Sequence, residues 1–324
     1  MTTHDAVKIL YIGGTGRTGS TLLEKLLGQD EGWFAAGELT FLWRFLDTGR
    51  CSCGLALRDC AVWTEIFDAA YGGFDAAGAA DLVALRRRFR SVHLPLMASG
   101  ALRRRYLARL DEFPQRVERL YHGIAAVTGS RVVVDSSKEP HYSWILGTRP
   151  ALDVHFLHLV RDPRAVAHSW RRRVPQLGLA SSEEMERRSL PVAATYFDVS
   201  NLAAEALWRR RPGRYLRVRY EDFVTDPTGV LGQIEAFVGE PVHVRHRIDG
   251  GVVHLESTHS AWGNPNRFGE GTVALRPDVE WAQHMGTGAK ALVTAMTIPF
   301  VGRYGYSWWP RRADPEAVGT RGVA

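Results

Sequence analysis

The sequence predicts an α/β fold: a central parallel sheet covered by helices, with a helical insertion. Three observations carry this expectation. Residues 7–12 (VKILYI), 131–135 (RVVVD) and 154–160 (VHFLHLV) are short, nearly continuous apolar runs, the pattern of strands buried on both faces. Helical segments alternate with them, which implies parallel pairing. The first run also leads straight into a glycine- and hydroxyl-rich turn and then a helix. That arrangement points free backbone N–H groups and a positive helix end at one spot, where anions bind.

In chain order, residues 7–29 read VKILYIGGTGRTGSTLLEKLLGQ. They divide into strand 7–12, turn 13–20, and a helix with Leu22, Leu23, Leu26 and Leu27 on one face. In WFAAGELTFLWRFL, residues 33–36 make a weak strand, Gly37 and Glu38 a turn, and the following run fits strand or helix. Residues 64–128 are largely helical and amphipathic, with breaks at Gly72, Gly73, Pro95 and Pro114. They carry no obvious chemistry and form an insertion that shapes the acceptor pocket. Strand 131–135 is followed by SSKEPHYSWIL, and strand 154–160 by RDPRAVAHSWRRR. There Asp162 is a helix N-cap and Pro163 the first helical residue. A helix over 192–210, a strand over 214–220 and a helix over about 227–238 complete the alternation. The segment after Pro310, rich in Arg, Pro, Gly and Ala, is predicted to be disordered. The expected organisation is one domain over residues 1–310, with the insertion at about 64–128, and a tail over 311–324.

Composition narrows the function. With 45% hydrophobic and 23% charged residues in a chain of 324, the protein is globular. The net charge of +6 and pI near 9.4 rest on arginine, since Lys8, Lys25, Lys138 and Lys290 are the only lysines. Basic stretches at 86–90 and 103–105 are interleaved with apolar residues at helical spacing. They read as solvated helix faces, not as a nucleic-acid surface. A positive field still attracts a polyanionic ligand. No secretory signal and no apolar run of membrane-spanning length is visible. Cys51, Cys53 and Cys60 are the only cysteines, and an odd number in a long chain points to a reducing cytoplasm. As metal ligands they are one short of a structural zinc set, unless His93 or a cysteine of another subunit completes it. A compact loop packed down by Trp63 is the simpler reading, and no metal is assigned.

The glycine loop alone admits several owners. Gly14, Gly16 and Gly19 fit G-x-G-x-x-G, with Glu38 at the distance of a ribose-binding acid. Gly14 and Gly19 also fit the opening of a nucleotide triphosphate P-loop, but Ser20 and Thr21 stand where Lys and Ser/Thr belong. Arg17 sits inside the loop, where neither motif asks for a cation, and the weak strand at 33–36 weighs against the dinucleotide reading. Farther on, Arg161 at a strand end and Ser169 two turns into the next helix supply a second anion site.

Together, GGTGRTGST and RDPRAVAHS resemble the paired 5′-phosphosulfate and 3′-phosphate motifs of sulfotransferases that use 3′-phosphoadenosine 5′-phosphosulfate (PAPS). The likeness is closest to bacterial sulfotransferase-family proteins and protein-tyrosine sulfotransferases. It runs from Gly13 through YEDF at 220–223 to about Tyr306, and it implies a P-loop-like three-layer fold. Thr15, Gly16, Thr18, Gly19, Ser20 and Thr21 would cradle the 5′-phosphate, and Arg17 would neutralise charge on it as it departs. Glu38 resembles the general base of the tyrosine sulfotransferases. Lys138, Glu139 and Pro140 resemble their Lys-Asp-Pro, whose lysine stabilises the transition state; Glu139 departs from the aspartate. Arginine at 17 sets the chain apart from cytosolic sulfotransferases, which use a loop lysine and a histidine base. HSAWGNPNRFGEG resembles a loop that closes over the cofactor, with His259, Asn264 and Arg267 as candidates and Arg267 assigned to cofactor binding.

The implied reaction is in-line sulfuryl transfer from PAPS, as co-substrate, to a hydroxyl of a small-molecule or carbohydrate acceptor, with no metal required. Positioning and electrostatics dominate such chemistry. The alternatives are a P-loop-type nucleotide kinase, with Asp135 as magnesium ligand, and a non-catalytic nucleotide-binding domain of the same fold. A dinucleotide-dependent oxidoreductase ranks last. Glu38 could instead serve as a cap or salt-bridge partner and Lys138 as a surface lysine, while His141, His155, His158 and His168 read as structural histidines.

Overall fold

The computed structural model describes residues 6–78, 81–84, 100–110, 112–175 and 184–308. Five strands form the main sheet: β1 (Val7–Gly14), β2 (Trp33–Gly37), β3 (Val132–Lys138), β4 (Leu152–Val160) and β5 (Tyr215–Arg219). Their order is β2-β3-β1-β4-β5, and every pairing is parallel. The most apolar run therefore lies at the centre, with Lys8 opposite Val132 on one side and Asp153 on the other. A separate antiparallel pair, β6 (Val252–Leu255) and β7 (Gly271–Ala274), lies late in the chain.

The helices are α1 (Ser20–Leu27), α2 (Leu39–Leu42), α3 (Ala61–Tyr71), α4 (Gly100–Ala108), α5 (Phe113–Thr128), α6 (Pro140–Leu146), α7 (Pro163–Arg171), α8 (Leu190–Trp208), α9 (Tyr220–Thr225) and α10 (Pro227–Val238), followed by shorter ones to Arg303. Side chains alternate across the central strands and divide the core in two. Leu10, Ile12, Val132 and Val134 meet α1, α9 and α10 through Leu23, Leu26, Leu27, Phe223, Leu231 and Ile234. Ile9, Tyr11 and Val133 meet the other layer through Phe67, Tyr121, Tyr142 and Trp208. The result is a three-layer α/β fold, as the sequence predicts.

Two local expectations change. Residues 33–36 do form a strand, which extends to Gly37 as the edge of the sheet. Its weak intrinsic propensity is overridden by packing. Small Ala35 lets α1 come close: a Cβ on Gly28 would lie 2.5 Å from the Ala35 Cβ. Pro114 opens α5 in its first turn and does not interrupt a helix, a position that suits a residue without an N–H. Asp162 caps α7 as expected, accepting from the Arg164 amide at 2.8 Å. Pro95, His93 and the tail 311–324 lie outside the described residues.

Candidate active site

All five main strands end on the same side, and the predicted site residues follow those ends. Between β1 and α1 the chain turns sharply: Arg17 has φ 69° and Gly19 φ 87°. A Cβ on Gly19 would lie 2.5 Å from the Tyr220 ring, and one on Gly16 would lie 2.9 Å from Trp170. The loop is thus pressed against α9 and α7 by residues that only glycine permits. Helix α1 starts with the amides of Ser20 and Thr21, which have no intrahelical acceptor. Thr18 Oγ1 donates to the Thr15 carbonyl at 3.2 Å. The Thr15 hydroxyl is fully buried and has no partner among the described residues. The Arg17 guanidinium lies 4.9 Å from the centroid of the Trp170 ring and 3.6 Å from Met185 Sδ. Burial pushes Arg17 below the usual guanidinium range, and the charge of Glu38 works against that shift.

Glu38 follows β2, and Lys138 ends β3. Lys138 Nζ lies 2.5 Å from Glu38 Oε1, with both side chains largely buried, and also donates to the Ser136 carbonyl at 3.0 Å. Lys138 adopts φ 67°, the left-handed conformation that strand ends at functional sites often carry. Behind this pair stands a residue that the sequence reading missed. Glu24, on α1, accepts from the Gly37 amide at 2.5 Å, from Ser136 Oγ at 2.5 Å and from Ser260 Oγ at 3.2 Å. Burial pushes its carboxyl up to about 7, against the pull of Ser136, Lys138 and the Gly37 amide. The available signal was a charged residue set among leucines in TLLEKLL.

At the end of β4, Arg161 donates to the Arg17 carbonyl at 3.0 Å and pairs with Asp278 at 2.5 Å, with its guanidinium 4.5 Å from the Tyr220 ring centroid. Burial pushes the Asp278 carboxyl up, but Arg161 outweighs it and holds the group below its ordinary range. Ser169 is half-buried on α7. Thus Arg161 reaches back to the loop between β1 and α1, and Asp278 is an acid for which the sequence offered no motif.

The remaining candidates divide. Arg267 is buried, and its donors go to the carbonyls of Gly263 at 3.0 Å and Arg50 at 2.8 Å; burial lowers it to about 10. The imidazole of His259 faces Cys51 and Cys60. Asn264 Nδ2 lies 3.8 Å from Met185 Sδ, which Arg17 also touches. Asp135 spends one oxygen on the Tyr121 hydroxyl and the other on the Ser137 amide at 2.7 Å, which disfavours a magnesium-binding role. His158 is buried between Tyr215 and Asn201, and burial lowers it to about 4. It is a neutral structural histidine, as expected.

A sulfotransferase family model matches residues 10–244. The chain belongs to the sulfotransferase family. No curated protein has a significant sequence match to this family member. Among solved structures, the sulfotransferase domain of the Synechococcus PCC 7002 olefin synthase shares 20% identity at TM-score 0.52, over 95% of this chain and 98% of that one. The sulfotransferase domain from the curacin biosynthetic pathway shares 18% at TM-score 0.49, over 94% and 98%. A Mycobacterium avium sulfotransferase shares 15% at TM-score 0.45, over 93% and 78%. The first likeness is one of fold, and it spans the parallel sheet and its helices. Sulfuryl transfer is the activity that family membership carries. Among the described residues, no helix of this sulfotransferase is long and apolar enough to cross a membrane.

Proposed function

We propose that this sulfotransferase moves a sulfuryl group in line from PAPS to a hydroxyl of a small-molecule or carbohydrate acceptor in the cytoplasm. The observation that carries this reading is the Glu38–Lys138 ion pair at 2.5 Å, set between neighbouring strand ends with Arg17 within electrostatic reach of Glu38. A carboxylate paired with an ammonium can take a proton from an incoming hydroxyl while the freed ammonium turns to developing negative charge. PAPS supplies a sulfuryl group already joined to a phosphate leaving group. Thr15, Gly16, Thr18, Gly19, Ser20 and Thr21 cradle the 5′-phosphate, and the unpartnered Thr15 hydroxyl fits a site that expects an acceptor there. Arg17 holds charge on the leaving phosphate. Arg161 and Ser169 hold the 3′-phosphate, which takes the place of Asp278 on the arginine. Arg267 contributes by fixing the segment that covers the nucleotide.

The test is incubation with labelled PAPS and a metabolite extract, followed by mass spectrometry for a sulfate gain. A thermal shift with 3′-phosphoadenosine 5′-phosphate (PAP) and a sulfated product are expected. A shift with ATP–Mg²⁺ and none with PAP would move the protein to the kinase class. A PAP shift with no product in any extract would favour a non-catalytic binding domain.

A further inference from the structure

The three cysteines form a cluster, and a residue about two hundred positions away completes it. Residues Arg50 and Ala56 bridge in antiparallel fashion, the Cys51 amide donates to the Leu55 carbonyl at 2.9 Å, and the Gly54 amide donates to the Cys51 carbonyl at 2.9 Å. This tight hairpin, turned at Gly54 with φ 92°, puts Cys51 and Cys53 on one side, and Cys60 arrives at the start of α3. His259 comes from the segment after β6. Its Nδ1 lies 3.6 Å from Cys51 Sγ and 3.4 Å from Cys60 Sγ. The ligand atoms of Cys51, Cys53, Cys60 and His259 all lie within 4.8 Å of one another.

Those spacings have a specific meaning. Zn–S bonds of about 2.3 Å and Zn–N bonds of about 2.0–2.1 Å at tetrahedral angles put sulfur and nitrogen about 3.5 Å apart and two sulfurs about 3.8 Å apart. The two sulfur–nitrogen distances, 3.6 and 3.4 Å, match the first value. All three thiols are free, with no disulfide. The amide of Cys53 hydrogen-bonds the Cys51 sulfur and that of Trp63 the Cys60 sulfur, but burial outweighs both and raises the two thiols, so binding of the metal itself would release their protons. We propose that Cys51, Cys53, Cys60 and His259 form a closed, tetrahedral Cys3His zinc site. Three thiolates and a neutral imidazole around Zn²⁺ leave one net negative charge, and buried Arg267, which donates to the Arg50 carbonyl beside the site, lies within electrostatic reach of Cys51. Four protein ligands leave no open position, so the site is structural and not catalytic.

The surroundings say what it braces. Ser52 donates to the Thr258 carbonyl at 2.6 Å and accepts from the Ser260 amide at 2.8 Å, and the Trp63 indole donates to the His259 carbonyl at 2.7 Å. Just beyond, the Ala261 amide donates to the Ala36 carbonyl at 3.0 Å and the Trp262 carbonyl accepts from the Glu38 amide at 2.9 Å. A metal at the cluster therefore ties the 50–60 hairpin, α3 and the 258–262 segment to the end of β2. The site stands independently of which donor or acceptor the enzyme uses.

The test is elemental analysis of the full chain purified without chelator. Stoichiometric zinc is expected, with native thiols unreactive until a mercurial displaces the metal. Cobalt substitution is expected to give thiolate-to-cobalt charge transfer with tetrahedral d–d bands. Cys53→Ser, at a half-buried ligand, is expected to lose the metal, whereas His259→Cys keeps it and strengthens the charge-transfer band. A folded, PAP-binding chain with three freely titrating thiols and no uptake of zinc or cobalt overturns the proposal. A mass two hydrogens low from a disulfide overturns it too, as does retention of stoichiometric zinc in a Cys51→Ser, Cys53→Ser, Cys60→Ser triple variant.

Discussion

Two carboxylates at the end of β2 have different environments and make different predictions. Glu38 faces Lys138, so Glu38→Gln is expected to cut turnover by ~10²–10⁴-fold and leave PAP affinity near wild type, read by kinetics and calorimetry. Glu24 is buried, and its carboxyl sits at about 7. A raised carboxyl favours the folded protein while it stays protonated. That stability is present below the unfolded value and is lost as pH rises through about 7, at a cost of about 3 kcal/mol. Asp135, pushed up to about 6 by burial, acts in the same direction. Glu24→Gln is expected to flatten the fall in melting temperature between about pH 5 and about pH 8; a fall as steep as in the wild type would remove Glu24 as its cause. Glu38 and Lys138 were legible through the motifs around them. Glu24 was not, because a glutamate in a short helix normally faces water. Only the tertiary packing of Gly37, Ser136 and Ser260 around it reveals a buried role.

At the scale of elements, the loop between β1 and α1 owes its shape to neighbours that are distant in sequence. Gly19 combines φ 87° with the Tyr220 ring at Cβ distance, so Gly19→Ala meets both backbone strain and a clash. A loss of about 1–3 kcal/mol of stability and a sharp drop in PAP binding are expected by denaturant titration and calorimetry. Gly16→Ala has no φ penalty but displaces Trp170, the platform under Arg17. Its expected effect is weaker PAP binding at nearly unchanged melting temperature. The sequence made the glycines visible and left the aromatic rings invisible, because Trp170 and Tyr220 sit in segments with other evident purposes. The β2 strand was underestimated for the same reason: its residues are held by β3 and α1 and not by their own propensity.

For the whole molecule, the order of apolar runs was enough to fix a parallel sheet, but not the strand order that puts β1 between β3 and β4. That order makes neighbours of the glycine loop, Lys138 and Arg161. The meeting of His259 with three cysteines was equally beyond periodicity, since a contact across about two hundred residues leaves no local pattern. Arg161→Ala is expected to weaken PAP binding by about 1.5–3 kcal/mol and to reduce the preference for PAP over adenosine 5′-monophosphate, measured by calorimetry on both. One hydrogen bond gives that variant a second consequence. Arg161 donates to the Arg17 carbonyl, so on the proposed reading the guanidinium that would meet one end of the nucleotide also sets the backbone that would meet the other. The two phosphates would then be felt as a single length. A double-mutant cycle between Arg161→Ala and Gly16→Ala is expected to show a coupling of about 0.5–3 kcal/mol in PAP binding, and additive losses would mean that the enzyme measures each phosphate separately. If the coupling is present, the enzyme works as a caliper, which rejects a nucleotide of the wrong span before any sulfuryl group is at risk.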